Sequence, residues 1–203
     1  MSDNQSPELF GQTPSQTVGP FFHYALPWPG GADLLGEHDW GARLDLLPAG
    51  HDVLHRPGRR AAPEPSTIEI TGRVTDGEGQ PVPDALIEIW QANEDGTRAG
   101  FGRSATGEDG DYRFRTRYPD RLPGPDGVLQ APHIAVSIFA RGLLKRLATR
   151  LYFAGGEGND ADPILTFVPE ARRETLIARP EGQDRWRFDI ALQGDRETVF
   201  LAL

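Results

Sequence analysis

Short segments of alternating apolar and polar residues constrain the fold of this chain more than any other feature. Side chains of a strand point to opposite faces in turn, so this alternation is typical of strands with one buried face. Turn-forming residues separate the segments, and the chain contains 24 Gly and 18 Pro. The segments that we predict as strands are 68–74, 85–91, 112–116, 133–140, 147–153, 186–192 and 199–203.

Short strands joined by turns predict an all-β fold, with two antiparallel sheets packed as a β-sandwich. We expect one or two short helices, the clearest over 169–178, where Pro169 and Glu170 suit a first helical turn. Residues 1–66 are rich in Pro and Gly and predict an extended N-terminal arm and linker that contacts a partner and a pocket. The sandwich domain is predicted to span 67–203.

Composition excludes several classes of site. The chain has no cysteine, so it has neither disulfides nor thiolate ligands. Its net charge of -9 comes without a basic stripe, which argues against a nucleic-acid partner. The N-terminus has no export signal, and no apolar stretch reaches the length of a membrane span. We therefore expect a soluble cytoplasmic protein without membrane contact.

His133, at the start of an apolar strand, is the most informative of the five histidines. Residues at i and i+2 of a strand share a face, so a His-x-His pair would direct two imidazoles at one metal ion. Here position i+2 is Ala135. A single histidine at a strand start favours a hydrogen-bonded structural residue over a metal ligand.

The remaining histidines give weaker signals. His51 and His55 have the i, i+4 spacing of two ligands on one helix face, but Pro and Gly bracket them and favour a solvated loop. His23 and His38 have no partner at a motif spacing.

Tyrosine is a further potential ligand because phenolate binds ferric iron. Tyr112 and Tyr152 lie in predicted strands and are most simply core residues, whereas Tyr24 lies in the arm. Tyr118 is the tyrosine closest in sequence to His133, and its loop could bring it back toward that residue. The tyrosines therefore leave a ligand role open for Tyr118 alone.

Two other features predict a pocket. Arg141 follows the apolar strand and precedes Gly142, so it either faces solvent or points into a pocket where it stabilises an oxyanion or carboxylate. In the arm, Gly19 permits close approach of backbone to a ligand, and Phe21 and Phe22 are expected to anchor the segment. The alternative is an arm that only packs on the surface.

Several blocks of sequence together resemble the intradiol ring-cleavage dioxygenases, and within them the α chains of the protocatechuate-cleaving members. The resemblance covers nearly the whole chain. It is carried by TPSQTVGPFFHYAL (13–26), ITGRVTDGEGQPVPDALIEIWQAN (70–93), GFGRSAT (100–106), GDYRFRT (110–116), APHIAVSIFARGLLKRLATRLYF (131–153), RRETLIA (172–178), RFDIALQG (187–194) and ETVF (197–200).

The resemblance implies a division of labour between two homologous chains. In this family the β chain holds a non-haem Fe(III) through two tyrosines and a His-x-His pair. His133 is the only match to those ligands, because Ala135 replaces the second histidine and the loops at 93–100 and 120–130 carry no tyrosine. The resemblance therefore implies that this chain binds no metal, and that Fe(III) is bound by the partner β chain.

The resemblance also implies the activity and the pocket. The family reaction inserts both atoms of O₂ into 3,4-dihydroxybenzoate and yields 3-carboxy-cis,cis-muconate. This chain would be a non-iron-binding α subunit in a higher αβ assembly, inactive alone. Thr17, Gly19, Pro20 and Arg141 match residues that line the substrate pocket from the α side.

Two other functions remain open from the residues alone. The blocks at 72–90 and 107–116 also look like a small, non-catalytic β-sandwich module used for binding or as a scaffold. That alternative leaves the 13–22 block and the strand at His133 unexplained. A homomeric ferric dioxygenase would need the ligands that are missing.

Overall fold

A computed structural model describes residues 13–27, 31–35, 67–92, 99–124 and 126–202 of the 203-residue chain. Strands dominate these residues. They are β1 (Thr67–Thr75), β2 (Leu86–Ala92), β3 (Ala99–Ala105), β4 (Asp111–Arg117), β5 (His133–Phe139), β6 (Leu147–Phe153), β7 (Ile177–Gly182), β8 (Arg185–Arg187) and β9 (Ile190–Ala191). The helices of the described residues are α1 (Phe22–Ala25), α2 (Pro163–Phe167) and α3 (Glu170–Arg173), the last followed by a 3₁₀ turn at Glu174–Leu176.

The strands follow one hydrogen-bonded path in the order β3-β2-β5-β6-β7-β8-β1-β4, with β9 beside β1. Neighbours are antiparallel except for the parallel pairs β6–β7, β1–β8 and β1–β9. Because β3 also approaches β4, the sheet is nearly closed on itself. The all-β prediction with short helices is confirmed, whereas the division into two sheets of a sandwich stays a prediction.

One main core fills the interior of this sheet. Alternate residues of the strands face it, for example Ile68 and Ile70 of β1 and Ile134 and Val136 of β5. A second, smaller cluster lies on the opposite face of β6, beneath the short helices. Its buried members are Ala131, Tyr152, Leu165, Val168 and Leu176. Strand β6 is therefore covered on both faces.

The absence of a side chain at Gly72 lets the Tyr112 ring reach the backbone of Phe188. The Tyr112 hydroxyl donates a hydrogen bond to the Phe188 carbonyl oxygen at 2.5 Å. A Cβ on Gly72 would lie 1.9 Å from that same oxygen, so no other residue fits without moving backbone. Burial raises the pKa of Tyr112 far above its usual range, which keeps the hydroxyl protonated.

Five of the predicted strands correspond to β1, β2, β4, β5 and β6. The helix predicted over 169–178 is α-helical over Glu170–Arg173 and 3₁₀ over Glu174–Leu176, but the prediction is wrong at Ile177 and Ala178, which pair with β6 as a strand. The described residues also contain three α-helices rather than one or two.

Two strand predictions near the C-terminus need correction. The segment 186–192 is divided between β8 and β9, since the Asp189 side chain accepts the backbone N–H of Arg73 at the break. Residues 199–202 form no strand; there the backbone N–H of Leu201 donates to the Ala148 carbonyl at 2.7 Å. The division of the chain at 66/67 lies beside residues that are outside the described part, so it stays a prediction. No helix within the described ranges is long and apolar enough to span a membrane.

Candidate functional site

The residues singled out by sequence lie at the two ends of strand β5. His133 is its first residue, and Arg141 follows its last residue by two positions. At the rise of a β-strand, the six steps from His133 to Phe139 span about 20 Å, and Arg141 lies beyond that end of the strand. They therefore belong to two different sites, which we call the His133 end and the turn end.

The turn end is where the N-terminal arm meets the body of the protein. The backbone N–H of Gly142 donates to the Thr17 hydroxyl oxygen at 2.6 Å, across 125 residues of sequence. The Phe22 ring packs on the Phe139 ring, with 5.8 Å between centroids. Gly142 has a φ of +93°, a conformation that suits glycine and turns the chain sharply after β5.

Gly19 and Pro20 lie between these two contacts. The Gly19 carbonyl accepts the backbone N–H of Phe22 at 3.1 Å and so begins the turn into α1. No heavy atom beyond its chain neighbours lies within 4 Å of the position that a Cβ on Gly19 would take, and Pro20 is exposed. The structure thus brings Thr17 to the turn after Arg141 and leaves Gly19 and Pro20 uncovered next to it along the chain.

Arg141 lies on the surface at this turn. Its side chain is 62% exposed, and its Nε lies 3.0 Å from Oδ2 of Asp84, which is largely buried. The carboxylate therefore positions the guanidinium, while its exposed part remains available to an incoming anion.

The aromatic residues of the arm divide into an anchor and an exposed pair. Phe22 contacts Phe139 as expected, but the predicted anchoring role of Phe21 is wrong, because its side chain is 75% exposed. Tyr24 is 72% exposed, and its ring centroid lies 6.5 Å from that of Phe21. His23, which lies between them in sequence, is buried, and its ring centroid lies 3.9 Å from that of Tyr24. Two exposed aromatics in the arm that follows Thr17 are typical of a surface that contacts another molecule.

At the His133 end, the imidazole forms a hydrogen bond with the backbone that immediately precedes its own strand. Its Nδ1 lies 2.8 Å from the Ala131 carbonyl oxygen, which can only accept, so Nδ1 carries the proton. Burial lowers the pKa of His133, and the charge of Arg150 lowers it further. The side chain is therefore a neutral imidazole at neutral pH.

Strand register decides what surrounds the position of the missing histidine. Ala135 lies directly opposite Arg150 on β6 and opposite Trp90 on β2. The Arg150 guanidinium bonds to the Gln130 side-chain oxygen at 3.2 Å and to the Tyr152 hydroxyl at 3.3 Å. A cation thus faces the site where a second imidazole would stand.

Asp162 closes this polar cluster. It accepts the Tyr152 hydroxyl proton at 2.9 Å and the backbone N–H of Ala131 at 2.9 Å. It is also the N-cap of α2, where it accepts the N–H groups of Ile164 and Leu165. Burial alone would raise the pKa of Asp162, but these donors together hold it below its usual range.

The tyrosines do not complete a metal site. Burial raises the pKa of Tyr152 above its usual range, so its hydroxyl stays protonated and bound to Asp162. Tyr118 packs on Phe153 and Trp186 in the main core, on the opposite face of the β5–β6 pair from His133. The suggestion that its loop returns it to His133 is therefore wrong.

The residues at the His133 end do not fit a ferric ion. In the part of the chain that the structure describes, no three His, Asp or Glu side chains are placed to hold a metal ion together. His38, His51 and His55 lie outside the described residues. That the iron of this family sits on a partner chain stays a prediction.

Sequence reasoning overlooked two residues that organise these sites, and the main contact of a third. Asp162 precedes Pro163, a pair that signals a helix N-cap and a first helical turn. Arg150 is the one charged residue in the apolar segment LATRLYF, which marks it as paired or functional. Gly142 is recognisable from sequence as a turn residue, but no local signal links it to Thr17.

Comparison with known proteins places the chain in a family. Residues 48–194 match the family model described as "Dioxygenase" (Dioxygenase_C). The chain is 36% identical to the protocatechuate 3,4-dioxygenase alpha chain of Pseudomonas putida, over 95% of this chain and 97% of that protein. It is also 36% identical to the alpha chain of Burkholderia cepacia, covering 93% and 96%. Identity to the beta chain of Burkholderia cepacia is 34%, over 74% of each.

The fold agrees with a solved structure. The dioxygenase domain of a dioxygenase carbohydrate-binding protein fusion from Streptomyces sp. SirexAA-E superposes with a TM-score of 0.56 at 23% identity. The match covers 90% of this chain and 99% of that domain. The family model, the extent of the sequence matches and the shared fold lead to one conclusion: the chain belongs to the intradiol ring-cleavage dioxygenase family.

Proposed function

We propose that this chain is the α subunit of a protocatechuate 3,4-dioxygenase. It helps an iron-bearing β subunit to cleave 3,4-dihydroxybenzoate with O₂ to 3-carboxy-cis,cis-muconate, and it is inactive alone. The similarity to two α chains over nearly the full length supports this role. The observation that carries it is the Thr17–Gly142 hydrogen bond, which assembles the arm and the β5 turn into one exposed surface.

The ferric ion belongs to the β subunit in this proposal, and it supplies the oxygen chemistry when bound. The residues of this chain act on binding and positioning. Arg141 offers a positive charge at the turn end, where its exposed guanidinium attracts the carboxylate of the substrate. Its bond to Asp84 limits its rotamers, so less entropy is lost when the substrate binds.

The arm would form the wall of the pocket. Thr17 accepts the Gly142 N–H, and this bond would keep the residues that follow Thr17 close to the turn. The open space at Gly19 permits a planar ring to approach the backbone closely. Pro20 stiffens this wall because its ring restricts the backbone.

The partner surface would adjoin this wall. Phe21 and Tyr24 follow Thr17 in the arm and Leu144 follows Gly142, and their side chains are exposed at 75%, 72% and 60%. Aromatic residues are enriched where protein interfaces are fully buried. We therefore place the β subunit against these three side chains, with the substrate pocket between the two chains.

We further infer a cytoplasmic location and a role in the catabolism of aromatic compounds. We also infer that the two antiparallel parts of the sheet act as the layers of a sandwich, because alternate residues of both face one core. A non-catalytic binding module is the second candidate function. That function would not explain the hydrogen bond between Thr17 and Gly142 or the match over 97% of an α chain.

Expression of the full chain alone and together with a homologous His-x-His-bearing β chain tests the proposal. Iron content, visible absorption and 3,4-dihydroxybenzoate cleavage are measured on both preparations. We expect a colourless, iron-free and inactive product from this chain alone, and a coloured, active complex from the pair. An iron-loaded, active product from this chain alone would refute the α-subunit role, and failure to copurify with the β chain would favour the binding module.

A further inference from the structure

The face of β5 that carries His133 and Ala135 is occupied by a fixed cation. Residues directly opposite on antiparallel strands have Cβ atoms about 5 Å apart. Tyr152 is opposite His133, and Arg150 is opposite Ala135. The stem of Arg150 therefore begins beside the Ala135 methyl group, on the side where a histidine at 135 would project.

The hydrogen bonds of this cluster run in one direction, from cation to anion. Arg150 donates to the Gln130 oxygen and to the Tyr152 hydroxyl, and Tyr152 donates to Asp162. Asp162 receives three further donors from the backbone. Its lone pairs are thereby committed within the fold, and the side facing β5 presents positive charge.

We propose that Arg150 excludes metal ions from the His133 end and supplies in their place the positive charge that this polar cluster requires. The inference concerns this chain's own residues and does not depend on its role as an α subunit. It means that missing ligands are not the whole difference from a metal-binding chain. This chain also carries a guanidinium that repels any cation approaching His133.

Two physical effects produce the exclusion. The guanidinium is always protonated, so no change of pH in the folded range removes its charge. At a half-buried position water screens little, so a second cation a few ångströms away is strongly disfavoured. Restoring His at position 135 alone would therefore create a pair of imidazoles that still faces a positive charge.

Metal titration of full-length variants tests this. The variants are Ala135→His, Ala135→His with Arg150→Gln, and Ala135→His with Arg150→Lys, and the probe is Ni²⁺ in a calorimeter. Glutamine keeps a long polar side chain without charge, whereas lysine keeps the charge without the planar fork. A fourth variant, Ala135→His with Arg146→Gln, removes the same charge from the exposed turn before β6.

We expect Ala135→His to bind Ni²⁺ no better than the wild-type chain, and to hold no stoichiometric iron. The variant with Arg150→Gln should bind at least about tenfold more tightly, the scale on which residues around a metal site act. The lysine and Arg146 variants should behave like Ala135→His. The proposal is overturned if Ala135→His and Ala135→His with Arg150→Gln bind Ni²⁺ with equal affinity, or if neither binds it.

Thermal unfolding of single variants provides a second measurement. Because Arg150→Gln leaves the Tyr152 and Gln130 oxygens with a weaker donor, we expect its midpoint to fall by about 3–8 °C. Arg146→Gln is expected to shift it by less than about 1 °C. Equal midpoints for the two variants would show that Arg150 supplies no charge that the cluster needs.

Discussion

The two ends of strand β5 differ in how they use polar groups. At the His133 end, Tyr152 and Asp162 are both 0% exposed, and their hydrogen bonds are made within the chain. At the turn end, the Arg141 side chain is 62% exposed and Phe21 is 75% exposed. The first end is therefore built for internal stability, and the second retains groups for an external partner.

This contrast separates the expected effects of mutations. Buried hydrogen-bonded groups are costly to leave unpaired, so changes at the His133 end should lower the free energy of unfolding. Exposed groups contribute little to folding, so changes at the turn end should alter assembly or catalysis while the fold persists.

The largest effect is expected for Asp162→Ala. This change removes the acceptor of Tyr152, of Ala131 and of the first N–H groups of α2. We expect a loss of about 3 kcal/mol or more in the free energy of unfolding, measured by urea denaturation. A loss below that of an ordinary surface substitution would mean that the His133 end is not the stabilising one.

Asp162→Asn is the matched control for charge, and the pH dependence of its free energy of unfolding provides a second measurement. The folded-state pKa of Asp162 lies below its ordinary value of 3.8, so its stabilising contribution is present above that value and is lost as pH falls through the folded pKa. The stability difference between wild type and Asp162→Asn should therefore be largest near neutral pH and shrink below about pH 4. A difference independent of pH would contradict the charged role of Asp162.

Phe21→Ser is expected to have the next largest effect, on assembly. A buried aromatic at the centre of an interface contributes about 2 kcal/mol to binding, so the dissociation constant for the β subunit should rise about 30-fold. Phe167→Ser is the control, since Phe167 is 88% exposed on α2, whose N-cap bonds to the His133 end. If both substitutions weaken the complex equally, the turn end is not the preferred partner surface.

Arg141→Ala should act on catalysis. Loss of one charge-assisted contact to the substrate carboxylate predicts a fall of about tenfold in kcat/KM of the assembled enzyme, with iron content unchanged. Arg146→Ala removes a charge from the same turn and should leave kcat/KM within about twofold of wild type. Loss of iron in Arg141→Ala would contradict a role limited to substrate positioning.

Thr17→Val should produce the smallest effect. It removes the acceptor of the Gly142 N–H at an exposed position, where water replaces part of the bond. We expect substrate binding to weaken by about 0.5–1 kcal/mol, seen as a two- to fivefold rise in KM, while the unfolding midpoint stays nearly unchanged. Thr17→Ser keeps the hydroxyl and should retain wild-type KM; equal effects of the two would exclude the hydrogen bond as the cause.

Local patterns accounted for the strands that carry most of the core. Ile68, Ile70 and Val74 alternate with polar residues, and that alternation alone places them on one buried face of β1. The segment 169–178 shows the limit of this reasoning. It is helical as far as Leu176, but Ile177 and Ala178 pair with β6 as a strand instead of continuing the helix.

The candidate sites divide in the same way. The absence of a second histidine at Ala135 and the glycine at 142 can be read from the residues themselves. An all-β chain of the intradiol family with an incomplete ligand set follows from the residues alone, because alternation, turns and motif residues are local properties. That Thr17 reaches Gly142 and that Arg150 faces Ala135 is visible only in the folded chain. Those contacts join residues distant in the chain through the docking of the arm and the register of two strands, which no local pattern records.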